Sequence, residues 1–292
     1  MLSIKSIASG AQHLSYLEKE CEGEWIGTGA QMLRLHQQVS AEEFRAIRKG
    51  LDPETGEELR CRRVVDRVYH KPWGDEIYRA RELYDLTISA PKTVSIQGIV
   101  DPRIKEAHRE TVRALLPSLE ERCGAMVVAA FEHTYSRKLD PQIHTHPLAA
   151  NLAHDGEKWR TLHANEPYRS SKEITEDYRQ ELTAMLERWG YKIDYPELAD
   201  VPMELREKFS QRSTQREALK KEHAEKLNID PDQLSNREVA VLIRKNRPPK
   251  QKLTPDQVRE DQMARLAPGE YACLKQNCSE ALERAERMNG EY

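Results

Sequence analysis

The sequence predicts an α+β fold, with an antiparallel β-sheet flanked by helices and a helical extension at its C-terminal end. Strand-like stretches with β-branched and aromatic residues alternate with stretches of helical spacing in the earlier part of the chain. Beyond about residue 200 the chain is charged, poor in aromatic residues and interrupted by proline. This change indicates successive surface helices joined by turns.

Four stretches are predicted as strands because they combine Val, Ile, Thr and aromatic residues with interleaved polar residues. They are Leu83–Ala90, Val94–Ile99, Ala125–Tyr135 and Ile143–Ala153. A turn-prone segment, SRKLDPQ, separates the last two stretches. We therefore expect these two strands to form an antiparallel hairpin.

Two long helices are predicted from apolar residues at helical spacing. Asp101–Arg122 carries Pro102 at a position where a first-turn proline is tolerated. Thr175–Trp189 is followed by Gly190, which suits the left-handed backbone of a helix C-cap. A long helix between strands supports a sheet that is covered by helices on one face.

The composition excludes several classes of protein. The chain has 292 residues, of which 38% are hydrophobic and 33% charged, so a sizeable core is possible beneath a charged surface. No apolar run approaches the ~20 residues that span a bilayer, and the N-terminus lacks the apolar region of a secretory signal. We therefore expect a cytoplasmic protein without membrane insertion. Five scattered cysteines argue against a disulfide framework or a cysteine-bound zinc ion.

The segment Phe131–Pro147, FEHTYSRKLDPQIHTHP, contains the clearest chemical signal. His144 and His146 are two residues apart in a predicted strand, so both side chains point to the same face. His133 lies near the end of the preceding predicted strand, and a hairpin brings its ring beside the other two. Three imidazoles on one side of a cation leave positions open for water or substrate, which is typical of a catalytic metal site.

The histidines alone leave two questions open. They could be surface or core residues that bind no metal. If they do bind one, imidazole suits zinc, manganese, iron, cobalt, nickel and copper, and the geometry of the site decides among these ions.

Around this cluster the sequence resembles the MobF family of conjugative relaxases, of the TrwC/TraI type, which belong to the HUH endonucleases. The matching segments occur in the family's order and cover about residues 1–215. They are MLSIKSI at Met1, WIGTGA at Trp25, the stretch Phe44–Gly56 ending in DPETG, YDLTISAPKTVS at Tyr84, DPQIHTH at Asp140, KWRTL at Lys158 and FSQRS at Phe209.

The resemblance implies an enzyme that nicks and rejoins single-stranded DNA at one site through a 5′-phosphotyrosine intermediate, and so initiates conjugative DNA transfer. It implies a palm-type sheet, a divalent metal ion (Mg, Mn or Zn) and single-stranded DNA at an origin of transfer, with an adjacent hairpin. Accessory relaxosome proteins and a coupling protein are the implied partners. Residues 1–215 would form the relaxase domain, and residues 216–292 a charged helical extension that covers the DNA or acts as a linker.

The resemblance also assigns individual residues to roles. It makes His133, His144 and His146 the metal ligands. Asp85, which precedes the T-x-S-A-P-K run, is expected to support a metal-bound histidine and to help deprotonate a tyrosine. Tyr16 is the expected nucleophile. A phenol with an ordinary pKa near ~10 needs a base or cation nearby to form phenolate at neutral pH, which fits this division of roles.

Other interpretations of these residues stay open from the sequence. Tyr16 could pack on the core from a helix face, and Asp85 could satisfy a backbone group or Arg81. Family members usually carry further tyrosines near the N-terminus, but no tyrosine occurs between Leu17 and Val68. A second transfer step would therefore need a second protomer.

Basic stretches are candidate DNA contacts despite the formal net charge of -3. Arg60–Lys71, which includes Arg62 and Arg63, has five Lys or Arg residues against one Asp, and Ile243–Lys252 has five and no acid. Such stretches can bind phosphates without regard to sequence, or they can be solvated faces. Lys92 in the S-A-P-K run is either a cation beside a phosphate or a solvated lysine.

Aromatic side chains are the second kind of candidate DNA contact, because bases of single-stranded DNA stack on them. The candidates are Trp25, Trp73, Tyr78, Tyr135 and Trp159, of which Trp159 is expected to pack in the core. In relaxases of this type the F-S-x-R-S segment leads into helices that close over DNA, so Arg212 is a further expected contact.

Three rival functions share part of this pattern. An HUH initiator of rolling-circle replication shares the chemistry but acts at a replication origin. A degenerate relaxase would bind single-stranded or hairpin DNA without cutting it. A three-histidine zinc hydrolase of small molecules would need a pocket and a general base that the sequence does not show. No G-x-x-x-x-G-K-[ST] loop occurs in these 292 residues, so we expect no ATP hydrolysis from them.

Overall fold

The computed structural model describes residues 2–9, 23–35, 38–60, 65–163, 165–246 and 253–290. The chain forms two compact units, each made of discontinuous segments. The first unit comprises Met1–Ala90, Glu106–His133 and His144–Leu182, and the second comprises Pro91–Lys105, Thr134–Ile143 and Thr183–Tyr292. No helix within the described ranges is both long and apolar enough to cross a membrane.

The described strands form one large sheet and two small ones. In chain order they are β1 (Leu2–Ala8), β2 (Glu24–Ile26), β3 (Arg67–Lys71), β4 (Gly74–Tyr78), β5 (Arg81–Ser89), β6 (Ala125–Tyr135), β7 (Pro141–His154), β8 (Trp159–Arg160), β9 (Ile193–Asp194) and β10 (Glu197–Leu198). The large antiparallel sheet has the order β1-β5-β7-β6-β2, with β8 paired to β7. β3 pairs with β4, and β9 with β10.

Helices account for most of the remaining regular structure. In chain order they are α1 (Thr28–Met32), α2 (Ala41–Lys49), α3 (Lys92–Gln97), α4 (Arg103–Ala114), α5 (Leu116–Cys123), α6 (Asn165–Arg169), α7 (Ser171–Arg188), α8 (Met203–Lys208), α9 (Gln211–Leu227), α10 (Asn236–Lys245), α11 (Pro255–Ala264) and α12 (Pro268–Gly290). An antiparallel sheet with flanking helices confirms the predicted α+β class, and a run of helices from α8 onward confirms the predicted helical C-terminal part.

Most predicted elements occur within a few residues of their predicted bounds. β6 spans the predicted residues, and β5 and β7 differ by one or two residues at their ends. α7 starts four residues earlier than predicted, and Gly190 beyond its end has a φ of +84°, as a left-handed C-cap requires.

Two predicted elements differ from the structure. The predicted strand Val94–Ile99 is wrong, because this run lies in and just after α3, where Thr93–Gln97 are all buried. The polar residues Ser95 and Gln97 alternate with apolar ones as in a strand, but both are buried, and their side chains donate to the backbone oxygens of Pro91 and Leu274. The alternation therefore does not mark an exposed face. The predicted helix Asp101–Arg122 breaks at Leu115 into α4 and α5. Pro117 causes the break, since proline has no N–H for the helical bond and its ring clashes with the preceding turn.

The core of the first unit lies between one face of the large sheet and α2. Ser40 begins α2 with a capping box to Glu43, and the helix ends at Gly50 with a φ of +77°. Phe44 of α2 packs edge-on against Phe131 of β6, with ring centroids 6.0 Å apart. Leu148 of β7 belongs to the same buried cluster. The covered part of this face is therefore apolar, and its continuation along β6 and β7 carries the histidines.

Candidate metal centre and DNA-binding residues

Three histidines meet on one face of the large sheet. His144 and His146 alternate with buried residues along β7, and His133 lies near the end of the neighbouring strand β6. The ring centroids of the three pairs are 5.1 to 5.3 Å apart. One ring nitrogen from each histidine lies within 4.8 Å of the other two. All three residues are half-buried, so the cluster can be reached from solvent.

The position of this cluster follows from the period-two geometry of the strands. Leu148, Ala150 and Leu152 share the face of His144 and His146 but are buried in the core cluster. Along β7 the same face therefore changes from apolar to polar between residues 148 and 146. The rigid, covered half of the sheet holds the polar half in place, which is how a pre-organised site is built.

Asp85 of β5 lies directly behind His146. Both carboxylate oxygens of Asp85 are 3.0 Å from Nδ1 of His146, and Asp85 side-chain exposure is 15%. Burial by itself would raise the pKa of Asp85, but the hydrogen bond and charge of His146, with smaller contributions from Thr87 and Lys5, lower it below its ordinary value. The carboxylate is thus ionised and accepts the Nδ1 proton of His146, which leaves Nε2 of that ring as the atom with a free lone pair.

Thr87, to which the sequence analysis assigns no role, completes this arrangement. Its Oγ1 donates to Oδ1 of Asp85 over 2.7 Å and lies 3.0 Å from Nδ1 of His146. The signal for it was present, because Thr87 is two residues after Asp85 in a predicted strand and so shares its face.

The donor set fits a divalent metal ion. Neutral imidazole nitrogens are good ligands for divalent first-row metals, and three of them leave coordination positions for other groups. The Asp85 carboxylate behind His146 is the partner that commonly fixes the tautomer and orientation of a metal-binding histidine. Histidines, cysteines and carboxylates can all bind a metal ion. Within the described residues, the three histidines are the group of such side chains that lie close enough together to hold one.

Several predicted site residues fall elsewhere. Tyr16, Arg62 and Arg63 lie outside the described residues. Lys92 is half-buried in the second unit, and its Nζ donates to the backbone oxygen of Pro141 over 2.9 Å. Burial lowers the pKa of Lys92, which Asp140 and Glu197 partly oppose. Its predicted contact with DNA stays a prediction.

The predicted aromatic and basic contacts separate into buried and exposed residues. Trp25 is a core residue and cannot offer a stacking face, which corrects that expectation. Trp159 packs against the core cluster as expected. Trp73 is 81% exposed and Tyr78 is also exposed, both at the β3–β4 hairpin. Arg212 is exposed in the first turn of α9.

A sheet of this kind with a three-histidine cluster and a supporting carboxylate defines a protein of the HUH endonuclease class. The chain belongs to the TrwC relaxase family, whose model matches residues 6–268. It is therefore a relaxase of the MobF type, as the sequence motifs predicted.

Comparisons with individual proteins agree with this assignment. The multifunctional conjugation protein TraI of Escherichia coli (strain K12) is 28% identical over 283 residues, which cover 83% of this chain and 15% of TraI. The chain thus spans about a seventh of the length of this relative. The conjugative relaxase TrwC in a metal-bound complex with oriT DNA superposes with a TM-score of 0.74 at 25% identity, covering 91% of this chain and 97% of that one. TrwC complexed with a 27-mer comprising the recognition hairpin and the cleavage site gives a TM-score of 0.74 at 26% identity.

Proposed function

We propose that this protein cuts and rejoins one strand of DNA at a specific site, with a divalent metal ion and a tyrosine nucleophile, to initiate conjugative DNA transfer. The observation that carries the proposal is the convergence of His133, His144 and His146 with Asp85 behind His146. TrwC, which shares this fold, is described with oriT DNA and with metal bound. The substrate we propose is single-stranded DNA at an origin of transfer with an adjacent hairpin.

The three imidazoles would hold the ion, whose identity we propose to be Mg, Mn or Zn. Bound there, a divalent ion withdraws charge from the scissile phosphate and orients it. The chain's own contribution is to hold His146 in one tautomer and one orientation through Asp85 and Thr87. The Asp85 carboxylate already accepts from Nδ1 of His146 and from the Thr87 hydroxyl, which supports the orienting role proposed for it.

The proposed nucleophile is Tyr16. Its phenol oxygen, after loss of its proton to a base, attacks the phosphorus, a bond forms between that oxygen and the 5′-phosphate, and the bond to the 3′ oxygen breaks. The 3′ oxygen takes up a proton and leaves as a hydroxyl. Attack by a 3′-hydroxyl reverses the steps and releases the tyrosine, so one tyrosine suffices to nick and rejoin. We also propose that the protein takes part in completing transfer and that it assembles with accessory relaxosome proteins and a coupling protein.

The β3–β4 hairpin is the proposed DNA contact surface within the described part of the first unit. Tyr69, Trp73 and Tyr78 are all exposed on it, and Nζ of Lys71 lies 5.5 Å from the Trp73 ring centroid. Exposed aromatic rings can stack with bases, and Lys71, which also pairs with Glu76 of the hairpin, places a positive charge beside them. Because Tyr69 and Tyr78 also pack edge to face at 5.1 Å, the hairpin presents these rings in a defined orientation.

A substitution tests this surface. We expect Trp73→Ala to weaken binding of an origin-of-transfer oligonucleotide about tenfold, because one stacking contact is worth about 1–3 kcal/mol. Fluorescence anisotropy at fixed salt measures it. The control is Tyr168→Ala, which removes an exposed aromatic ring from α6. Equal affinities of the wild type and the Trp73 variant would remove the hairpin from the proposed interface.

The decisive experiment searches for the covalent intermediate. The protein is incubated with single-stranded oligonucleotides from the transfer region of its own element, with Mn or Mg, then digested and analysed by mass spectrometry. We expect a nucleotide adduct on the Tyr16 peptide that is absent with EDTA, in His146→Ala and in Tyr16→Phe. Tyr168→Phe, a change at an exposed tyrosine of α6, is the matched control and should leave the adduct unchanged.

Three other outcomes of this experiment would favour a different nucleophile or a different function. An adduct on a different tyrosine would keep the function and discard Tyr16. Tight binding with no adduct would favour a protein that only binds DNA. Adducts with oligonucleotides from a replication origin and none from the transfer region would favour a rolling-circle initiator.

A further inference from the structure

A fourth histidine lies on the opposite side of β7 from the three clustered ones. His108 of α4 is fully buried, with 0% of its surface exposed. Its Nδ1 is 2.6 Å from the hydroxyl of Tyr178 in α7, and its Nε2 is 2.9 Å from Oγ1 of Thr145. Thr145 stands between His144 and His146 in the sequence of β7. The buried network therefore ends on the residue that separates two of the three clustered histidines.

Every polar atom of this network has a partner. A neutral imidazole has one donor and one acceptor nitrogen, and a hydroxyl can serve as either, so both tautomers of His108 are satisfied by Tyr178 and Thr145. Burial raises the pKa of Tyr178 well above its ordinary value, so it remains a phenol that can donate. A fully satisfied buried network permits few alternative arrangements of the groups that form it.

The network also distinguishes the two faces of β7. A shift of one residue in strand pairing would turn both His144 and His146 toward the buried side and Thr145 toward the open side. An apolar contact at residue 145 would tolerate different side chains. The His108 imidazole instead needs a hydroxyl within hydrogen-bond distance of its Nε2, as Oγ1 of Thr145 is. In the observed register Thr145 is opposite Ile88, and His144 is opposite Ser89 of β5.

We infer that His108, acting through Thr145, is a positioning residue that fixes the register of β7 and so brings the three imidazoles together. The inference rests on the proposed metal site. It predicts that loss of the buried hydrogen bond on one side of the sheet alters metal binding on the other side, because Thr145 lies on the strand that carries His144 and His146.

The test uses Thr145→Val, which removes the hydroxyl and keeps the β-branched shape. Thr111→Val is the matched control, since Thr111 is equally buried on α4 but its hydroxyl donates to Ala107 of the same helix, 2.8 Å away. Metal affinity of the metal-free protein is measured by calorimetry with Mn²⁺ and Zn²⁺. The ligand-field absorption of bound Co²⁺ reports on the number and geometry of the ligands.

We expect Thr145→Val to weaken metal binding about tenfold and to change the Co²⁺ spectrum, while Thr111→Val changes neither. Tyr178→Phe should have a smaller effect in the same direction. His108→Gln, which keeps a donor and an acceptor, should recover most of the affinity that His108→Leu loses. The double variant His108→Leu with Thr145→Val should lose no more than the larger single loss, because both remove one interaction.

Opposite results would overturn the inference. If Thr145→Val and Thr111→Val both reduce thermal stability and both bind metal as the wild type does, the network is only structural. If the single losses add in the double variant, His108 does not act through Thr145. A wild-type protein that binds none of these ions would overturn the proposed metal site itself, and the inference with it.

Discussion

The two sides of β7 use histidine in opposite ways. On one side His133, His144 and His146 are half-buried and close enough to share an ion. On the other side His108 is fully buried, and burial together with the charges of His144 and Arg109 lowers its pKa to about 3. Residue type alone therefore does not define a metal ligand. The open side exposes lone pairs to an incoming ion, and the closed side uses both ring nitrogens inside the protein.

The largest expected effect is on the open side. His133→Ala should reduce metal-dependent nicking at least hundredfold, because two imidazoles hold an ion far more weakly than three. The free energy of unfolding should change by less than about 1 kcal/mol, since the ring is only half-buried. Nicking assays and urea unfolding of the metal-free protein measure the two quantities. His163→Ala, an exposed histidine outside the cluster, is the control. Unchanged nicking would remove His133 from the site.

The second effect concerns the covered half of the same face. Leu148→Ala should lower the free energy of unfolding by about 2–5 kcal/mol, because it empties a core position that is 1% exposed. Urea denaturation measures this change. Leu282→Ala, at an exposed leucine of α12, should cost less than about 0.5 kcal/mol. Similar losses in both variants would contradict the division of this face into a covered and an open half.

The third effect concerns the support of the open side. Asp85→Asn should weaken metal binding about 10- to 100-fold, because an amide cannot replace the charged acceptor of the His146 Nδ1 proton. Calorimetry of the metal-free protein measures it, with Asp256→Asn at an exposed aspartate of α11 as control. If Asp85→Asn binds metal as tightly as the wild type does, His146 binds the ion without needing a carboxylate behind it.

The smallest expected effect, taken per pH unit, is a pH dependence of the free energy of unfolding. The pKa of His108 in the folded state is about 3, below the ordinary value of about 6.5, so between these values the unfolded chain carries a proton at His108 and the folded chain does not. The free energy of unfolding should therefore fall as the pH falls from about 6.5 toward about 3, by about 1.4 kcal/mol per pH unit from this residue.

Urea unfolding of the metal-free protein across this pH range measures the slope. His108→Gln removes the titrating group and keeps a donor and an acceptor, so its slope should be shallower than that of the wild type. Parallel slopes would show that His108 titrates alike in the folded and unfolded states, and the contrast between the two sides of β7 would then be wrong.

Much of the site was predictable because it depends on local periodicity. Residues two apart in a strand share a face whatever the strand pairs with, so His144 and His146 could be placed together from sequence. A short turn between two strand-like stretches made them neighbours and placed His133 beside the pair. The motifs from Met1 to Phe209 carried the family, which the match over residues 6–268 shows.

Other features depend on contacts between distant parts of the chain. Nothing in the local sequence of His108 points to Thr145, 37 residues away, or to Tyr178, 70 residues away. The sequence predicts a strand at Val94–Ile99 because Ser95 and Gln97 alternate with apolar residues, whereas in the helix at Lys92–Gln97 both polar residues are buried. The sequence makes Trp25 a candidate stacking platform, but its side chain is buried in the core.

By itself, then, the sequence determined the family, the α+β class and the grouping of three histidines on one face, because these follow from motifs and from the two-residue repeat of strands. Only the tertiary structure decided which part of that face is open, that Asp85 meets His146 across 61 residues, and that His108 is sealed behind Thr145. The physical reason is that strand pairing and helix packing set burial and charge environment, and these determine whether an imidazole is available to a metal or committed to the core.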